Sequence, residues 1–208
     1  MHAPDGAAWN RARYSAYAPI YDLVAAPFAA GRRRSVELLA LRPGERVLIV
    51  GCGTGLDLPL LPPDVRVATF DLTPAMARRT AARAARLGRA VDVAVMDGQR
   101  AALAGSRFDA VILHLILAVI PDPVACAREA ARLLRPGGRA AIFDKWMPDG
   151  ARPSPARRAL NAVASAAFSD LNRQLGPILE AAGLRLVRRE PAGLRGAYQA
   201  ALAVRPPR

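Results

Sequence analysis

Two periods of hydrophobic spacing alternate along this chain. Val47-Leu48-Ile49-Val50 is a short, wholly apolar run that reads as a buried strand, and Gly51-Cys52-Gly53-Thr54-Gly55 follows it at once. Runs of the same kind at 65–70, 91–96, 108–115 and 139–144 predict four more strands. Helical spacing fills the gaps, at 32–41, from about 76 to 87 and from about 124 to 134. Leu41-Arg42-Pro43-Gly44 stops the first of these helices, and Arg135-Pro136-Gly137-Gly138 stops the third. Strands alternating with helices predict an α/β fold, a mostly parallel sheet with helices on both faces. Beyond a proline-rich excursion at 148–155, helices are expected over 156–168 and 175–182. An edge pair at 184–190 and 198–204, joined by a turn at 191–196, completes the pattern. No internal repeat is visible.

With 208 residues, the chain has room for one sizeable core, read as a domain over 31–208 preceded by an aromatic and basic segment at 1–30. Apolar residues at 52% and charged residues at 23% exclude a disordered tail and a fibrous repeat. Two cysteines, Cys52 and Cys126, exclude a disulfide framework and a thiolate-rich zinc site, so no metal is expected and a reducing, cytoplasmic setting is. Thirty basic residues against seventeen acidic ones give a net charge of +13, which favours anionic membrane surfaces, nucleic acid or acidic small molecules. Lys145 is the only lysine, so a coding preference for arginine contributes to this balance. No zinc finger, recognition-helix pattern or aromatic single-strand motif points to specific nucleic-acid binding. With no apolar stretch of transmembrane length and no signal-peptide pattern, membrane contact is expected to be peripheral, on the inner face.

Alternating glycines directly after a buried strand suit a tight turn whose backbone approaches a nucleotide-like cofactor. Asp71 ends the next strand, where its carboxylate can accept both hydrogen bonds of a ribose diol. Asp97 closes the third strand beside Gly98 and Gln99, in position to receive an adenine amino hydrogen. A nicotinamide cofactor fits the first turn and Asp71 equally well.

The ordered set VLIVGCGTG (47–55), FDLTPAM (70–76), VMDGQ (95–99), FDAVILHLILAVIPDP (108–123) and LLRPGGRAAIFD (133–144) resembles class I S-adenosylmethionine-dependent methyltransferases. The resemblance implies a single Rossmann-like domain with a seven-stranded sheet whose last strand is antiparallel. It implies S-adenosylmethionine as cofactor and S-adenosylhomocysteine as product. Gly51, Cys52, Gly53 and Gly55 would surround the cofactor's amino-acid end, Asp71 would bind ribose, and Asp97, Gly98 and Gln99 would face adenine. Leu72 and Met76 would touch the adenosyl region, and His114 would lie beside the reactive end. The acidic residue usual two places before the first loop glycine is Ile49 here.

YSAYAPIYDLVAAPFAAGRRRSVELL (14–39) resembles the N-terminal region of bacterial phosphatidylethanolamine N-methyltransferases and, more distantly, quinone methyltransferases. This implies a phospholipid or small-molecule methyl acceptor. Tyr21, Asp22 and His114 are then the substrate-orienting candidates. Trp9, Tyr14 and Tyr17 are expected at a lid or membrane contact, and Arg11, Arg13, Arg32, Arg33 and Arg34 at an anionic head group.

Overall fold

A computed structural model describes residues 21–167 and 169–207. The described part of the first segment forms a short helix α1 (Tyr21–Ala25) and a 3-10 turn (Ala26–Phe28). Helix α2 (Ala29–Leu38) follows, so the boundary expected at residue 30 falls inside a helix. It starts three residues before the predicted position and ends at Leu38, and Gly31, a weak helix former, lies where it packs closely. A Cβ there would lie 2.2 Å from the Phe143 ring.

The central elements are β1 (Arg46–Val50), a 3-10 turn (Leu58–Leu60), β2 (Arg66–Asp71), α3 (Pro74–Arg86), β3 (Val91–Val95), β4 (Phe108–His114), α4 (Pro123–Leu133) and β5 (Leu134–Lys145). Next come α5 (Pro155–Ala167), α6 (Leu175–Ala181), β6 (Arg185–Gly193) and β7 (Tyr198–Val204). Proline at the first helical turn opens both α3 and α4, where its missing N–H costs no hydrogen bond. Asp122 caps α4 by accepting from Ala125 N–H at 2.9 Å.

The seven strands lie in the order β3-β2-β1-β4-β5-β7-β6. Strands β1 to β5 pair in parallel, and β7 runs antiparallel to both β5 and β6, as the sequence pattern and resemblance predicted. Alternate strand residues feed two cores on opposite faces. One joins Leu48, Val111 and Leu113 to Cys126 and Ala127 of α4 and Leu179 of α6. The other joins Val47, Ile49 and Ile112 to Val36 of α2 and Ala84 of α3.

Two strand boundaries differ from expectation. The 135–138 segment lies within β5 as a bulge: Phe108 pairs with Leu134, and pairing resumes at Ala110 with Arg139. Backbone bonds from Gly137 N–H to Arg205 O and from Arg205 N–H to Gly138 O, both 2.9 Å, hold that bulge to the chain beyond β7. Strand β6 likewise continues past Glu190 through Pro191. It is the outermost strand, where a residue without an N–H is tolerated, and the register shifts between Pro191 and Gly193.

Candidate functional site

The parallel strands converge on one end of the sheet, and the loops leaving β1, β2, β3 and β4 enclose a cavity there. Its volume is about 700 Å³ with the open mouth included. The sequence after β1 makes its floor. Gly51 and Gly53 adopt φ of 70° and 54°, and a Cβ at Gly51 would stand 2.6 Å from Ile116 Cδ1. Gly51 and Cys52 N–H both donate to Phe70 O, which bends the loop over β2.

Asp71 is fixed at the rim by backbone donors: Gly53 N–H reaches Oδ2 at 2.9 Å and Thr73 N–H reaches Oδ1 at 2.8 Å. Burial pushes its carboxyl above the usual carboxylate range, against the opposing pull of the Thr73 and Gly53 donors. Across the cavity, Asp97 Oδ1 accepts from Gln99 N–H at 2.9 Å, while Gln99 Oε1 accepts from Asp122 N–H. Leu72, Met76, Met96, Ile116 and Ile120 form apolar wall between the two carboxylates. The loop after β4 is held in place by Ala118 N–H donating to the buried Asp144 at 2.9 Å.

His114, at the end of β4, closes the deep side of the cavity and is 3% exposed. Its Nδ1 lies 2.8 Å from Asp57 Oδ1, and its buried Nε2 has no hydrogen-bond partner. Asp57 also faces Arg32 Nε at 3.7 Å. Burial alone would raise the Asp57 carboxyl, but Arg32 and His114 outweigh it and hold it down to about 2. Tyr21 also lines the cavity, its ring 3.3 Å from where a Cβ of residue 53 would stand. Burial raises its phenol and Arg32 opposes the shift.

The cavity therefore brings together Tyr21, Gly51, Gly53, Asp71, Leu72, Met76, Asp97, Gly98, Gln99 and His114. Other expected site residues lie elsewhere. Cys52 is 2% exposed and packs in the core beneath α2 and α3, because the turn that aims the Gly51 and Gly53 backbone at the cavity aims the intervening side chain away from it. Gly55 abuts Thr80 and Leu58, its backbone serving the approach of α3 to the loop. Asp22 spends both oxygens on structure, accepting from Thr54 Oγ1 and pairing with Arg83.

The expected anionic-contact face is also redistributed. Arg32 is 3% exposed and points to Asp57, while Arg34 pairs with Glu190 and Glu37. Arg33 alone of the three is exposed without an ion-pair partner among the described residues. Trp9, Arg11, Arg13, Tyr14 and Tyr17 lie outside the described residues. Sequence reasoning passed over Asp57 and the Ile116–Ile120 wall. Asp57 follows the glycine turn in an otherwise apolar stretch, and the wall reads as ordinary core. Among the described residues no cluster of three or more His, Cys, Asp or Glu side chains is arranged to hold a metal.

The family model described as "Methyltransferase domain" matches residues 48–142, from β1 through most of β5. Nocamycin O-methyltransferase of Saccharothrix syringae is 33% identical over 196 residues, covering 89% of this chain and 67% of that protein. The chain belongs to the S-adenosylmethionine-dependent methyltransferases. Phosphatidylethanolamine N-methyltransferase of Cereibacter sphaeroides is 30% identical over 132 residues, covering 62% of this methyltransferase and 65% of that one. The chain thus spans about two thirds of the length of each of these relatives. The crystal structure of the [4+2]-cyclase SpnF superposes with a TM-score of 0.77 at 20% identity, covering 100% of this chain and 99% of that one, which is a likeness of fold.

The cavity fits S-adenosylmethionine chemically. It offers a backbone cradle that a side chain at Gly51 would fill and a carboxylate at the end of β2 suited to a diol. A second carboxylate stands at the end of β3, with apolar wall between the two.

Proposed function

We propose that this methyltransferase N-methylates phosphatidylethanolamine or a similar amine-headgroup phospholipid at the membrane surface. The observation that carries this reading lies on α1: Tyr21 lines the cavity, and on the same short helix Leu23 is 80% and Val24 60% exposed. Exposed apolar side chains on a helix that also supplies a cavity-lining tyrosine suit an acceptor that stays embedded in lipid while its head group reaches inward. The +13 charge favours an anionic surface, with Arg33 the exposed cation nearest α1 in sequence among the described residues. No helix among the described residues is long and apolar enough to cross a membrane, so contact would be made from one side.

When bound, S-adenosylmethionine supplies an electrophilic methyl carbon on a sulfonium, so the protein's task is alignment and management of a proton. Gly51 and Gly53 would hold the amino-acid end by backbone, Asp71 the ribose, and Asp97 with Gln99 the adenine. His114 and Tyr21, both lining the cavity, would orient the acceptor nitrogen. A soluble natural product with an O–H or N–H nucleophile is the second reading, favoured by the O-methyltransferase similarity that spans 89% of the chain.

Mass spectrometry of phosphatidylethanolamine in anionic liposomes, incubated with purified protein and S-adenosylmethionine, decides between them. Head groups gaining one or more methyl groups support the lipid reading. An unmodified lipid, with cofactor binding confirmed separately, transfers the assignment to a soluble acceptor.

A further inference from the structure

We infer that Asp57 is a positioning residue that locks His114 as the Nδ1–H tautomer and so presents an Nε2 lone pair to the methyl acceptor. The inference deepens the proposed reaction by assigning it an acceptor class: a nucleophile that must lose a proton from nitrogen or oxygen.

The argument starts from the donor inventory. An ionised carboxylate only accepts, so the 2.8 Å contact between Asp57 Oδ1 and His114 Nδ1 requires the proton on Nδ1. A neutral imidazole then carries its lone pair on Nε2, the buried atom without a partner, on a residue lining the cavity. A buried acceptor without a partner is costly, so a proton donor brought to Nε2 would be bound favourably. Arg32 is 3% exposed, and neither its Nε nor its Nη1 has a hydrogen-bond partner, so it acts on Asp57 chiefly through charge. Tyr21 on α1, Asp71 at the end of β2 and Asp144 at the end of β5 are further titratable groups acting around this cluster.

During transfer, the acceptor's X–H proton passes to Nε2 as the X lone pair bonds to the methyl carbon. The carbon–sulfur bond breaks with its electron pair going to sulfur. The imidazolium that results is stabilised by Asp57 and afterwards returns its proton to water.

The chain has two histidines, so long-range ¹H–¹⁵N correlation spectra show two imidazoles, and His114→Gln assigns the second by loss. In the full-length wild type at neutral pH, the expected His114 pattern is protonated Nδ1 with unprotonated Nε2. An Nε2–H tautomer or an imidazolium overturns the inference, and this readout needs no substrate. The isosteric Asp57→Asn, checked for folding by circular dichroism, is expected to populate the other tautomer. If the tautomer is unchanged in that folded variant, Asp57 does not position the ring. On phosphatidylethanolamine liposomes the same variant should lose roughly 100-fold in kcat with the cofactor KM within about threefold. A wild type that leaves this lipid unmethylated removes the lipid reading, while the tautomer measurement still decides the role of Asp57.

Discussion

Burial shapes two carboxylates at the site and one thiol in the core beside it. Asp71 is buried at a strand end yet receives two backbone N–H groups, Asp57 is buried yet held low by Arg32 and His114, and Cys52 is buried with no cation to offset it. The Cys52 thiol is pushed up to about 11, first by burial and then by the nearby Asp71 charge. Burial drives Cys126 higher still. A raised thiol pKa means the nucleophilic thiolate is scarce at neutral pH. Iodoacetamide should therefore label both cysteines of the native protein at least about 100-fold more slowly than free cysteine, with fast labelling only on unfolding. Rapid native labelling of Cys52 would place its thiol at an open surface, contrary to its packing beneath α2. The linkage at Asp57 has the opposite sign to that of the thiols. Its depressed pKa contributes stability that is present above the ordinary carboxylate value of 3.8 and is lost as pH falls through about 2.

At the scale of elements, α2 is seated by its smallest residue. A Cβ on Gly31 would meet the Phe143 ring at 2.2 Å and Ala192 O at 2.4 Å, so the helix lies flush on β5 and β6. Gly31→Ala should destabilise the fold by about 2 kcal/mol despite the better helix propensity of alanine, because overpacking outweighs propensity here. Chemical denaturation measures this, and a stabilised variant would refute the close seating. The same helix shows how far the sequence could be read. Apolar runs located β1 to β5, because strand and helix periods differ and buried parallel strands are almost wholly apolar. The seating of α2, the bulge at 135–138 and the continuation of β6 through Pro191 depended on partners distant in sequence: Phe143, Arg205 and β7. Asp71 and Asp97 were legible as cavity residues because each follows an apolar strand run at the end where the loops converge. Asp57 was not, since only folding brings it against Arg32, 25 positions earlier, and His114, 57 positions later.

For the whole molecule, the dominant physical fact is an excess of thirteen positive charges on a single α/β fold. Many arginines are paired, as in Arg34 with Glu190, Arg139 with Glu45 and Arg189 with Asp149, but thirty cations cannot all be matched by seventeen anions. Net repulsion should make the thermal midpoint rise by several degrees between roughly 50 and 500 mM NaCl, as screening shortens the reach of like charges. A midpoint that falls over this range would mean that the ion pairs outweigh the repulsion.

The central claim is that the cavity at the ends of β1 to β4 holds S-adenosylmethionine with Asp71 as its ribose anchor. Isothermal titration of the wild type and Asp71→Asn with S-adenosylmethionine tests it most directly. The account predicts one-to-one binding by the wild type and an affinity loss of about tenfold or more in a variant that still melts cooperatively, as expected when a charged acceptor is lost. Undiminished binding by the folded variant would contradict the assignment of Asp71, and no binding by the wild type would contradict the site itself.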